Sequence, residues 1–541
     1  MRVCYKGLVL GLFLIIGFSG VSMEVKAADA PPPCLDCHRT PEFDFGVFQK
    51  SVHGSQSCLD CHGGYDTPTH HSNPPMPIPK DQEARVLKYQ KKSKAPLALL
   101  ACTNCHSDVT AALATSVHEK WIREDRPAAG PTCVDCHGSI HAVVKAESKN
   151  LGSRQKASSC GNCHGSAEQI VKTSIGQDVV PTYQDSIHGK LVAVGSDRAP
   201  VCHTCHGNHG ILQVTDANSP VNPENKPKTC AKCHEGANAA FASVVSHRPM
   251  AHHGSHPGPH WTHIFFSYLT TLTLLGLSAH ILIDLFGEIR TQVRRRRGAK
   301  HAGVPAGLPE AVERLDLHQR IQHWLLISSV ILLVITGWPI RAAAIQTSRT
   351  MIAFLGGAHM AGILHRIGAG VLIVAGVYHI IYLLMLARKK RLKLLMVPAP
   401  KDIVDLMDNL MYFVGIRKER PNFGRFSYIE KFDYWAVFWG VAIMVGTGFV
   451  YWFPVNFATW LPSWIVNAAQ LAHGEEATLA ALALFVWHFY NVHLRPSIFP
   501  MNWAWLNGKI STEALIEEHP LEYKEMFPNQ DTNKNNDKKK H

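Results

Sequence analysis

Fourteen of the fifteen cysteines in this chain fall into seven C-x-x-C pairs, and a histidine follows every pair directly. They are Cys34-Cys37-His38, Cys58-Cys61-His62, Cys102-Cys105-His106, Cys133-Cys136-His137, Cys160-Cys163-His164, Cys202-Cys205-His206 and Cys230-Cys233-His234. Two thiols three positions apart can bond the two vinyl groups of one haem, and the adjacent histidine then faces the iron. Zinc knuckles and disulfides also use C-x-x-C, but neither demands a histidine beside the second cysteine in every case. The spacing therefore predicts seven covalently attached c-type haems, with the seven motif histidines as first axial ligands. The remaining cysteine, Cys4, precedes an apolar run at residues 8 to 18 and is not placed for lipid attachment.

The histidines around the motifs repeat as well. Ser51-Val52-His53, Ser116-Val117-His118 and Ser186-Ile187-His188 follow the first motif of successive pairs, and Val245-Ser246-His247 follows the last motif. The second motif of each pair leads to glycine and another histidine: Gly63 with His70 and His71, Gly138 with His141, and Gly207 with His209. Three and a half such units account for seven haems. The second axial ligands are expected to be His53, His118, His188, His247, His141, His209 and either His71 or His70. Iron held between two histidines is low-spin and suited to relaying electrons.

These residues sit in a chain with two unlike halves. Residues 1–27 carry Arg2 and Lys6, an apolar stretch and Val25-Lys26-Ala27, which reads as a secretory signal peptide. Its apolar run is shorter than the roughly 20 residues that a retained span needs. Residues 28–246 are expected to form a periplasmic heptahaem domain of short helices and irregular segments. Pro, Gly and Ser interrupt that stretch throughout, so the macrocycles must supply the apolar surface that folding buries. A junction rich in His and Pro covers 247–261. The net charge of +12 does not imply nucleic-acid binding, because the basic residues form no face interleaved with aromatics and many flank apolar segments.

Five segments long and apolar enough to span a membrane follow, at about 262–287, 320–341, 359–387, 431–453 and 476–497. Segments one, three and five lead to Arg294-Arg295-Arg296-Arg297, Arg388-Lys389-Lys390-Arg391 and Lys538-Lys539-Lys540. With the haem region outside, all three clusters fall on the cytoplasmic side, as the positive-inside rule requires. A multi-pass protein of the bacterial inner membrane is therefore expected. It comprises a tethering helix at 262–290, a basic cytoplasmic loop at 291–314, a membrane domain at 315–500 and a cytoplasmic tail at 501–541. Histidine facing lipid is costly, so the intramembrane histidines should face inward. By this topology His365 and His473 lie toward the periplasm, and His323, His379 and His488 toward the cytoplasm.

Arg320-Ile321-Gln322-His323-Trp324, the run ending Thr336-Gly337, Leu364-His365-Arg366 and Val486-Trp487-His488-Phe489-Tyr490 resemble the cytochrome b subunits of nickel-iron hydrogenases, formate dehydrogenases and thiosulfate reductases. The resemblance covers about residues 315 to 500. The whole chain resembles the fused b/c cytochromes that act as menaquinol oxidases in metal-respiring bacteria. It implies an all-α fold, a haem-packed cytochrome c domain followed by a five-helix transmembrane cytochrome b bundle with two b haems. It also implies ligation by His323 with His488 and by His365 with His473, with His379 as the alternative to His323. His473 and His488 are fifteen residues apart here, where fourteen is the commoner family spacing, and the first span, with His280, has no counterpart in the usual family core.

The expected activity is that of a quinol:cytochrome oxidoreductase. Electrons from menaquinol would cross two b haems to seven c haems and leave to a periplasmic c-type cytochrome or another periplasmic redox partner. Glu430, Lys431, Asp433 and Tyr434, at the cytoplasmic start of segment four, are the quinone-site candidates. Two alternatives are a periplasmic reductase of a nitrogen or sulfur oxyanion, and a quinone reductase fed by a periplasmic hydrogenase or formate dehydrogenase.

Overall fold

The computed structural model describes residues 44–57, 102, 105–118, 131, 133–144, 153–168, 170, 176, 178–244, 247, 257–296, 304–305 and 307–528. The signal-peptide stretch, the first two C-x-x-C-H motifs, His70, His71, most of the 247–261 junction, Arg297 and Lys538 to Lys540 lie outside the described residues.

Among the described residues up to 247, the chain forms short helices, several of them on the motifs. Cys133–His137 and Cys202–His206 are single helical turns, and Ser153–His164 ends on its motif. One helical turn puts cysteines at i and i+3 on one face, with the histidine beside them. The serine of the Ser-x-His repeat has a local task. The Ser51 and Ser116 Oγ atoms accept from the backbone N–H of His53 and His118, both at 3.2 Å. Ser186 caps the helix Ile187–Ala193, its Oγ accepting from Gly189 N at 3.2 Å. Each bond fixes the turn from which the histidine projects.

Five long helices form the rest: α1 Pro257–Arg296, α2 Leu317–Arg341, α3 Ala358–Arg388, α4 Tyr428–Trp452 and α5 Ser463–Ala483. All five are long and apolar enough to cross a membrane. Their outward faces carry exposed large apolar side chains such as Leu272, Leu282, Val374 and Phe485, a surface suited to lipid. α2 packs chiefly on α3, while α5 lies against both α1 and α4.

The motif region sits on one end of this bundle, called here the near end. Val194, just after the helix Ile187–Ala193, packs with Ala343, Ile352 and Ala361, and Arg349 Nε donates to Ala193 O at 3.0 Å. The helix Ala239–Val244 lies against α5 and the short helix Pro454–Ala458. Arg388 ends α3 at the opposite, far end, and Lys389, Lys390 and Arg391 follow it.

Two features depart from the sequence reading. α5 begins at Ser463, ahead of the expected 476, so His473 lies within the span. Asn467, Gln470, His473, Gly474 and Glu475 make that stretch too polar for a hydropathy window. The expected loop at 291–314 and tail at 501–541 also join each other. Strands Ala311–Glu313 and Lys509–Ser511 pair antiparallel, with Val312 opposite Ile510, and those two residues bury with Leu515 and Tyr523 at the far end.

Candidate functional site: paired histidines along the chain

Among the described residues, seven histidine pairs face one another with nearly constant separation. Ring centres are 6.1 Å apart for His53 and His106, 6.3 Å for His118 and His164, and 6.0 Å for His137 and His209. They are 6.2 Å apart for His188 and His234, and 6.1 Å for His206 and His247. Inside the bundle His323 and His488 stand at 6.4 Å, and His365 and His473 at 6.5 Å. Two imidazoles bound through one nitrogen each to opposite sides of one metal ion, at about 2.0 Å per bond, put their ring centres roughly 6.2 Å apart. The donor sets therefore fit an iron held between two histidines. Among the described residues no group of three or more His, Cys, Asp or Glu converges on a common point, as a structural zinc site would require.

Each of the five described motif histidines has a histidine of the expected second set opposite it. His53 serves the first motif of the next unit, and His118 and His188 repeat that step along the chain. His209 reaches back to the motif of the preceding unit, and so does His247. Every pairing thus crosses between units. His141 is described and lies against Phe48, with ring centres 6.1 Å apart. His71, and the motif histidines His38 and His62, fall outside the described residues.

The motifs also touch in order. The Cys102 side chain hydrogen-bonds to Cys133, Cys136 lies near Cys160 and Cys163, the Cys160 thiol hydrogen-bonds to the Cys202 thiol, and Cys205 faces Cys230 and Cys233. Five consecutive motifs are therefore contiguous from Cys102 to Cys233. Burial pushes the imidazoles of His118, His188, His206 and His209 below the usual histidine range, and the facing histidine adds to the effect. A neutral imidazole is the form that ligates metal.

In the bundle the ligand candidates are held from behind. Thr336 on α2 gives its hydroxyl proton to Leu332 O at 2.6 Å, so its Oγ1 accepts from His365 Nδ1–H at 2.9 Å. Thr447 on α4 gives its own to Ile443 O at 2.7 Å and accepts from His473 Nδ1–H at 3.0 Å. Both imidazoles are thereby fixed with Nε2 unprotonated and available to a metal. The glycine after each threonine makes room. A Cβ at Gly337 would meet His365 Cε1 at 3.0 Å, and one at Gly448 would meet His473 Cε1 at 3.4 Å. The matched Thr-Gly pairs on α2 and α4 can be found in the sequence once the two helices are compared; Thr447 and Gly448 were missed.

His488 is held differently, its Nδ1 donating to Asp433 Oδ2 on α4 at 3.0 Å. The chain from α5 through Leu494 is π-helical over Leu484–His488 and Tyr490–Leu494, and Phe489 N–H bonds to Leu484 O. A π turn takes up one extra residue, so the fifteen residues from His473 to His488 rotate roughly as fourteen do in an α-helix. The added residue therefore does not turn His488 away from His323.

The four quinone-site candidates separate. Glu430 Oε2 accepts from Ser427 N at 2.6 Å as part of the α4 cap, and its Oε1 pairs with Arg314 at 2.9 Å. Lys431 Nζ is 2.9 Å from Asp402 Oδ1. Both are committed to tying α4 to neighbouring segments. Asp433 backs His488. Tyr434 faces His379, the alternative to His323, with its hydroxyl 2.9 Å from Nε2, and His379 Nδ1 is 2.8 Å from Gln322 Oε1. Since that oxygen only accepts, Nδ1 carries the proton and the Tyr434 hydroxyl donates to Nε2. His379 is thus engaged away from His488. Gln322, His379 and Tyr434 are half-buried between α2, α3 and α4, with Ile380 and Trp435 exposed beside them, one residue along from His323 and Asp433.

α1 does more than tether. Its Asp284 is 1% exposed and accepts from Tyr490 Oη at 2.7 Å and Arg495 Nη2 at 2.8 Å, and Glu288 also pairs with Arg495 at 3.1 Å. His280 Nε2 lies 2.7 Å from Tyr428 Oη, and its ring packs on Trp487 beside His488. No protein-family model matches this chain, and no curated protein matches it.

Proposed function

We propose that this chain is a multi-pass inner-membrane cytochrome that oxidises menaquinol and passes electrons outward through two b haems to seven periplasmic c haems. The carrying observation is the set of seven histidine pairs at 6.0 to 6.5 Å, two in the bundle and five on contiguous motifs. Haem, when bound at these pairs, supplies one-electron relay at each position. The residues hold, order and space the relay. His323 with His488 would carry the far-end b haem, and His365 with His473 the near-end one. His188 lies on the helix Ile187–Ala193 and His234 just ahead of the helix Ala239–Val244, both of which pack against the near end, and this makes the pair the point of entry into the c series. The other described motifs continue from it toward Cys102. A periplasmic c-type cytochrome or another redox protein takes the electrons.

Menaquinol belongs at the half-buried Gln322–His379–Tyr434 line, which lies beside the far-end pair. A quinol hydroxyl taking the place of the Tyr434 hydroxyl can give its proton to His379 Nε2. All five described motif histidines have a histidine opposite, which weighs against a reductase reading that needs an open iron position.

The test is to add a menaquinol analogue to the protein in membranes and follow haem absorbance. Reduction of b and then c haems is expected, and His379→Ala should abolish it while leaving the haem content unchanged. Failure of menaquinol to reduce any haem in the unaltered protein would overturn the reading.

A further inference from the structure

We infer that Asp433 is a positioning residue that sets the redox order of the two bundle sites, making the far-end site the lower-potential one. This rests on the b-haem reading above and deepens it, because the order of potentials decides which way electrons run.

The four ligand candidates differ in what stands behind them. His365 and His473 each donate Nδ1–H to a threonine hydroxyl whose own proton is already given to a backbone carbonyl. The near-end pair is thus backed by two neutral acceptors of nearly equal length. At the far end His488 donates to the Asp433 carboxylate, while the buried Nδ1 of His323 has no hydrogen-bond partner. Its side of the site contributes no opposing charge through that atom.

A carboxylate that accepts from Nδ1–H pushes electron density through the ring to Nε2 and makes it a stronger donor to metal. It also leaves a negative charge one imidazole away from the metal position, on a carboxylate only partly shielded from its surroundings. Both effects favour the ferric over the ferrous form. Neutral threonine hydroxyls supply neither effect to the same degree. Two cations at the start of α4 are committed to other carboxylates, Lys431 to Asp402 and Arg314 to Glu430 and Glu522. With the far-end site lower in potential, electrons run downhill toward the near end and the C-x-x-C-H region. The outward direction is then built into the chain by one carboxylate on α4.

The experiment is a redox titration of the full-length protein, following the b-haem bands. Asp433→Asn keeps an acceptor oxygen and removes the charge. It should favour reduction of the lower-potential b haem at least tenfold, about 59 mV for a one-electron couple, and leave the higher-potential haem in place. Asp433→Glu should keep the potential of the unaltered protein, and Thr336→Val should move only the higher-potential haem. His488→Ala should remove the lower-potential haem, an assignment that holds whether or not Asp433→Asn retains its cofactor. Loss of the higher-potential haem from His488→Ala, or unchanged potentials in Asp433→Asn, would overturn the inference while leaving quinol oxidation standing. Absence of any non-covalent haem in the unaltered protein overturns the functional reading and this inference with it.

Discussion

Removing His188 tests the pairing of ligands across units. In sequence His188 lies between the motifs ending at His164 and His206, yet its ring stands 6.2 Å from that of His234. His188→Ala should therefore open an axial position on the haem attached at Cys230 and Cys233 and on no other. The thioether bonds would keep that haem in place, so covalent haem stays at seven per chain while one of the seven turns high-spin. Because the following Ala193 and Val194 pack on the near end of the bundle, the altered haem is the first of the c series. Losing a strong imidazole donor raises its potential, and every 59 mV or so holds the electron back tenfold from the next haem. Stopped-flow reduction by a menaquinol analogue should show the b haems reduced at the original rate and six c haems reduced at least about tenfold more slowly. Resonance Raman or electron paramagnetic resonance reports the high-spin haem. Combining His188→Ala with Cys230→Ala and Cys233→Ala identifies its site. With the seventh haem absent, His188→Ala should add no new high-spin signal, and the appearance of one would refute the pairing.

Further outcomes follow from the bundle. Gly337→Val should drive a methyl-bearing Cβ into His365 Cε1, 3.0 Å from the Cβ position, and cost the near-end b haem. Pyridine haemochrome analysis should then give one b haem per seven c haems in place of two, with Gly448→Ala much milder at 3.4 Å. Asp284→Ala strips Arg495 of one of its two buried carboxylates, and breaking a buried pair of this kind costs about 3–5 kcal/mol. A marked drop in thermal stability of the solubilised protein is expected, and an unchanged midpoint would mean that α1 contributes only a tether.

The amino-acid order by itself determined what depends on neighbours within a helical turn or on runs of composition. Cysteine at i and i+3 with histidine at i+4 is a local pattern, and the proposal of covalent haem attachment rests on it without reference to the rest of the fold. Apolar runs marked five helices long enough to cross a membrane, and the repeat of histidines around the motifs singled out the residues that stand opposite the five described motif histidines. Other features required contacts across long stretches of chain. Which histidine faces which motif could not be read, because each pairing joins different units. The start of α5 was hidden because its polar residues turn inward, where a hydropathy average counts them as though they faced lipid. The extra residue between His473 and His488 looked like a misfit until the π turn absorbed it. Strands of three residues carry no usable periodicity, so the joining of loop and tail was invisible. Tertiary structure also gave Glu430, Lys431, Asp433 and Tyr434 four separate partners. Adjacent positions on one helix point in different directions, and only the neighbouring helices decide what each direction meets.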